Sequence, residues 1–144
     1  MPASLRVKRK TFLTLPKRLP NAASVAYGFP EQNTSAEIRQ IAAWQEFGTK
    51  NIPERPFVRE GVKPRKYRSI MKQNAAKVLR GKIKTKTVLT RIGKMGADDV
   101  RLSLLAWSTP GNAPSTIAKK GFDDPLIDTG KMYDEINYYV DERG

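Results

Sequence analysis

Two short stretches, far apart in the chain, carry the two-residue alternation of a half-buried strand, and few folds can satisfy both. In Ser24-Val25-Ala26-Tyr27-Gly28-Phe29 the apolar Val25, Tyr27 and Phe29 share one face, and Pro30 ends the run. Near the other end, Ile136, Tyr138 and Val140 alternate with Asn137, Tyr139 and Asp141. A strand alone leaves its ladder of backbone N–H and C=O groups unpaired. The two stretches are therefore predicted to pair with each other. That pairing closes residues 22–144 into one domain, with residues 1–21 left as an extended arm.

Between the strands the spacing is helical. Ser35 is placed to cap a helix that starts near Ala36, with Ile38, Ile41, Ala42 and Trp44 on one broad side and Gly48 as its stop. A loop with Pro53 and Pro56 follows. Pro64 suits the first turn of a second helix, in which Tyr67, Ile70, Met71, Ala75, Val78 and Leu79 recur at three- and four-residue spacing before Gly81. Lys82 to Lys86 read as a basic linker. A third helix is predicted from about Thr87 to Trp107, seamed by Leu89, Ile92, Gly93, Gly96, Val100, Leu104 and Trp107. Each glycine on that seam costs about 1 kcal/mol against alanine, which fits a close backbone neighbour or a bend. Lys94 and Asp98 are spaced to pair along this helix. Asn112 and Asp128 or Thr129 are placed to cap two short helical turns, over 115–120 and 130–135. The sum is an α+β fold: a small antiparallel sheet packed by two or three helices, with an extended basic N-terminal arm.

The net charge of +13 is unevenly placed. Residues 50–94 hold fifteen Lys/Arg against Glu54 and Glu60, whereas residues 95–144 hold five basic and nine acidic residues. A basic middle and an acidic end suit nucleic acid, an acidic protein neighbour, or self-association in which one subunit's acidic end meets the next subunit's basic face. Arg65, Lys66, Arg68, Lys72, Lys82, Lys84 and Lys86 are the candidate channel- or DNA-facing residues; the alternative is a solvated helix face. In the arm, which is expected to order only on a partner, Lys8, Arg9, Lys10, Lys17 and Arg18 are candidate partner contacts; the alternative is a tail disordered in every context. There is no helix-turn-helix spacing, zinc module or aromatic interleaving, so sequence-specific reading of DNA is not expected.

The chain contains no cysteine and no histidine. Disulfides, thiolate nucleophiles, His-dependent triads and zinc chemistry are thereby excluded, which leaves carboxylate, Lys, Tyr or Ser chemistry. Adjacent carboxylates, as in Asp98-Asp99 and Asp134-Glu135, point about 100° apart on a helix and do not converge on a metal. Asp123-Asp124 reads as a solvated turn or a weak site for a hard cation. Asp128-Thr129-Gly130-Lys131 contains a Gly-Lys pair but lacks the rest of a phosphate loop: Met132 follows the lysine. No cofactor and no metal are expected. The apolar runs fall far short of the ~20 residues that a membrane span needs, and the basic start lacks the apolar segment of a secretory signal.

Two segments carry a resemblance. The first is Ala43-Trp44-Gln45-Glu46-Phe47-Gly48-Thr49, closed by Arg55-Pro56-Phe57; the second is Asn112-Ala113-Pro114-Ser115-Thr116-Ile117, followed by Lys120-Gly121 and Pro125-Leu126-Ile127-Asp128-Thr129-Gly130. In this order they resemble the neck proteins of tailed bacteriophages, the head–tail joining or tail-completion family. The likeness covers roughly residues 22–141, and the chain departs from the family in its basic, proline-broken start. It implies a compact α+β domain and a ring of six subunits between a portal-side adaptor and the tail terminator or tail tube. Genomic double-stranded DNA would pass through without sequence recognition. The location implied is the virion neck, after assembly in the host cytoplasm. A ring needs head-to-tail contacts, and opposite charges offer complementary faces.

On this reading Phe47, Arg55, Pro56, Phe57, Pro114, Asp123 and Asp124 are the candidate subunit or partner contacts. Two prolines fix the loop before Phe57, so that ring either anchors a neighbour or plugs its own core. The expectation is a structural protein without catalysis. Its alternatives are a tail-terminator ring, a stand-alone sequence-nonspecific DNA-binding protein and a carboxylate- and lysine-based DNA enzyme.

Overall fold

The computed structural model describes residues 23–108, 114–120 and 130–142. Strand β1 (Ser24–Gly28) is followed by a 3-10 turn (Glu31–Asn33) and helix α1 (Ala36–Phe47). Next come α2 (Phe57–Gly61), α3 (Pro64–Leu79), α4 (Thr85–Ala106), α5 (Pro114–Lys120), α6 (Lys131–Glu135) and strand β2 (Asn137–Asp141). The fold is a small α+β arrangement, as the alternation and helical spacing predict. The N-terminal arm, the Asn112 cap and Asp123-Asp124 lie outside the described residues.

β1 and β2 form a two-stranded antiparallel sheet in which Ser24 faces Asp141, Val25 faces Val140, Tyr27 faces Tyr138 and Gly28 faces Asn137. One face of this ribbon lies on α4. The two glycines on the α4 seam explain how. A Cβ on Gly93 would sit 2.6 Å from the Tyr138 ring, and a Cβ on Gly96 would sit 2.5 Å from the Tyr27 ring. The expected close neighbour is thus an aromatic ring from each strand rather than another backbone. The helix does without two side chains, and the sheet settles onto the bare stripe.

The core divides along α4. Phe57, Val100, Leu104 and Ile136 are fully buried at its C-terminal half, joined by Ile38 and Ala42 of α1 and Met132 of α6. Tyr67, Val88 and Ile92 form a smaller cluster at its N-terminal half, where α3 docks. Ser35 caps α1: its Oγ accepts from Ile38 N–H at 3.3 Å. Ser35 N–H donates to the Glu135 carboxylate at 2.8 Å, which ties the start of α1 to the end of α6. At its far end α3 is closed as the sequence indicates. Gly81 adopts a φ of +69, and Lys82 N–H returns to the Lys77 carbonyl at 2.8 Å.

Four local expectations change. The loop after Pro53 contains the short helix α2. Asp98 pairs with Arg101 at 2.8 Å rather than with Lys94. Gly130, at φ +80, takes the position before α6 that Asp128 or Thr129 was expected to hold. The basic linker is shorter, because α4 already begins at Thr85.

Candidate functional surface

The segment from Gln45 to Arg59 folds as one hydrogen-bonded corner, built around a carboxylate taken out of water. Glu46 is 5% exposed at the end of α1. Its carboxylate accepts from the backbone N–H groups of Val58 at 2.9 Å and Arg59 at 3.0 Å, and from Arg59 Nε at 2.9 Å. An anion at the start of a helix meets the unpaired N–H groups of the first turn, so Glu46 supplies α2 with a cap from twelve residues away. Sequence reasoning assigned no role to Glu46 or Arg59. The available signal was an acid before a glycine, followed by a proline-fixed turn.

The remaining residues of the corner serve the same turn. Gly48 has a φ of +71, and a Cβ there would meet Glu54 N at 2.9 Å. Thr49 Oγ1 accepts from Asn51 N–H at 3.2 Å and Ile52 N–H at 3.1 Å. Pro56, at φ −76 and ψ 57, is the centre of an inverse γ-turn closed by Phe57 N–H to the Arg55 carbonyl at 2.7 Å. Arg55 is buried and donates through Nη1 to Gln45 Oε1 at 2.7 Å. Phe57 is 0% exposed and packs edge-on against Phe29, with ring centroids 6.1 Å apart. Of its two readings the structure takes the inner one: the ring lies inside its own core and gives a neighbour no surface. Arg55 likewise faces inward.

What the corner does present is Phe47. This ring is 67% exposed, and the Arg59 guanidinium lies over it, 5.5 Å from its centroid. Arg59 also pairs with Glu54. Among the other candidate contacts, Pro56 is half-buried, and Pro114 is exposed at the start of α5.

The seven basic candidates are all exposed, but they do not form one patch. Arg65, Arg68 and Lys72 follow one another at three and four residues and so share a flank of α3. Lys66 points to the other side, where its Nζ lies 3.8 Å from Asp99 Oδ2 of α4. Lys82 and Lys84 sit in the turn after α3, roughly 24 Å along the helix from its start at 1.5 Å per residue. Lys86 Nζ lies 3.5 Å from Glu142 Oε1 beyond β2.

Beneath the Arg68–Lys72 flank lies an open groove of about 530 Å³ between α3, β1 and the start of α4. Val25, Met71, Leu89 and Ile92 form its floor, and Arg68 and Lys72 its rim. Tyr27 and Tyr67 close one wall, edge to face at 5.2 Å. Tyr67 Oη donates to Asp99 Oδ2 at 2.5 Å. Burial first, and then this hydrogen bond to Asp99, hold the Tyr67 hydroxyl well above the usual tyrosine range. Burial, and then the Asp99 charge, raise Tyr27 as well.

Among the described residues no group of three or more acids could hold a metal ion. No helix among them is long and apolar enough to cross a membrane. Comparison with protein-family models, with curated proteins and with solved structures gives no match for this chain.

Proposed function

We propose that this chain is a structural protein of a tailed-bacteriophage neck, present there as a ring that joins the DNA-filled head to the tail and leaves a channel for the genome. The observation that carries the reading is the ordered pair of sequence fingerprints, of which the described part of the first makes a single physical unit. Glu46, Gly48, Thr49, Arg55 and Pro56 are each spent on one corner. That corner fixes a short helix and projects an aromatic ring and a cation outward. Such a rigid, solvent-facing anchor is suited to packing between large neighbours. Its partners would be further copies of itself, a portal-side adaptor and a tail terminator or tail tube. Duplex DNA would pass without being read. No step of chemistry is assigned to any residue.

The test is removal of the gene from a phage that carries it. The expected result is full heads and separate tails that do not join, with joining restored by adding the protein. Infectious particles assembled normally without the chain would refute the reading.

A second reading, a stand-alone DNA-binding protein, draws on the exposed Arg65–Arg68–Lys72 flank. It requires affinity for free duplex that falls steeply with salt, by roughly one power of the salt concentration per phosphate contacted. The neck reading expects weak affinity for free duplex at physiological salt.

A further inference from the structure

The groove between α3, β1 and α4 pairs an apolar floor with a cationic rim, and its chemistry selects among possible occupants. Its floor is Val25, Met71, Leu89 and Ile92, with Met71 37% exposed and no ionisable group among them. Its rim is Arg68 and Lys72, neither of which makes an ion pair among the described residues. A duplex backbone would find cations at the rim but nothing to bond on the floor, since phosphate and sugar contacts are polar. An occupant that satisfies both must carry apolar side chains and negative charge within a few residues.

Two runs of this chain come close to that description, and one of them is already committed to the sheet. Phe122-Asp123-Asp124-Pro125-Leu126-Ile127-Asp128 has three apolar side chains of the required size, three carboxylates and no cation. The other segments fit poorly. Residues 1–21 hold six basic residues and no acid, so the rim repels them. Asp141 and Glu142 follow Tyr138, Tyr139 and Val140, but Tyr138 to Asp141 are paired with β1 in the sheet, and Glu142 is paired with Lys86. We propose that the groove is the acceptor site for residues 122–128 of a second copy of this chain. Phe122, Leu126 and Ile127 would enter over the floor, while Asp123 and Asp124 meet Arg68 and Lys72. The proposal rests on the reading of the chain as a self-associating ring protein, and it gives that ring its head-to-tail contact: a donor segment and a different acceptor surface on each copy.

A labelled peptide spanning residues 120–130, titrated into the full chain and followed by fluorescence anisotropy, tests the contact directly. Saturable binding is expected. It should weaken about tenfold or more in Arg68→Glu/Lys72→Glu, because like charges then face each other across the contact. It should also weaken when Phe122, Leu126 and Ile127 of the peptide are replaced by serine. Both rim residues are exposed, so circular dichroism should show the double variant folded. In the full chain, Arg68→Glu/Lys72→Glu and Asp123→Lys/Asp124→Lys should each lose self-association by sedimentation. An equimolar mixture of the two should regain it, since the reversed charges then match.

Peptide binding that is equal for wild type and the rim variant overturns the proposal. So does a peptide that binds only once Asp123→Lys/Asp124→Lys is present in the receiving chain, which would mean that the segment occupies its own groove. Duplex DNA binding that the rim variant abolishes, with no peptide binding, would make the occupant nucleic acid. The gene-removal experiment on particles has its own readout, so the neck reading stands or falls apart from this contact.

Discussion

Single side chains carry the corner and the sheet seat, and each makes a prediction. Glu46→Ala removes the acceptor of two backbone N–H groups at the start of α2 and of Arg59 Nε. Donors left without partners in a buried place cost about 1–3 kcal/mol, so urea unfolding should show a loss of about 3 kcal/mol, with Glu46→Gln losing less. Gly96→Ala tests the seat of the sheet. In an open helix this change gains up to ~1 kcal/mol, but here the new methyl would meet the Tyr27 ring close to its attachment point. Overpacking should win, and the variant should lose about 1–3 kcal/mol in the same assay. Tyr67 makes a prediction in pH. Its hydroxyl ionises higher in the folded chain than the ordinary value of 10.0, so above that pH the unfolded state releases its proton first. Stability from this group is therefore complete below pH 10 and is lost as pH rises through the alkaline range. Tyr67→Phe should flatten that alkaline decline in pH-dependent unfolding.

Elements differ in how much covers them. α4 is wrapped along most of its length by the sheet, α2 and α3, whereas α3 buries little beyond Tyr67 and leaves Met71 and Leu79 exposed. Hydrogen exchange should follow suit: amides of the second half of α3 should exchange through local opening, orders of magnitude before those of α4. Uniform protection across both helices would mean that another surface covers α3 even in the isolated chain. This contrast was only partly legible in the sequence. The spacing of Tyr67, Ile70, Met71, Ala75, Val78 and Leu79 marks one side of a helix, but periodicity does not say whether a second element exists to cover all of it. The helix caps at Ser35 and Gly81 and the β1–β2 pairing were readable, because each is decided by near neighbours or by a ladder with one available partner. The Glu46 cap on α2 was not, because donor and acceptor lie twelve residues apart across a loop that reads as coil. Phe57 could be placed only by the structure, since a proline-fixed aromatic looks the same whether it points in or out.

At the scale of the whole molecule, the fold depends on bringing its two distant strands together. β2 covers Gly93 through Tyr138, pairs the whole of β1, and stands next to Ile136, whose carbonyl accepts from Arg101. Deleting residues 137–144 should abolish cooperative unfolding altogether rather than lower its midpoint, as followed by near-ultraviolet circular dichroism. The surface of this fold carries an aromatic corner, a cation-rimmed groove and the flanks of α3. The proposed place of the chain in the phage neck can be tested on whole particles. The most direct measurement is cryo-electron microscopy of particles with the chain tagged, read for position and symmetry. The expected result is tag density as a ring at the junction of head and tail. Intact particles with no tag density at that junction, and the protein found only free in the lysate, would contradict it.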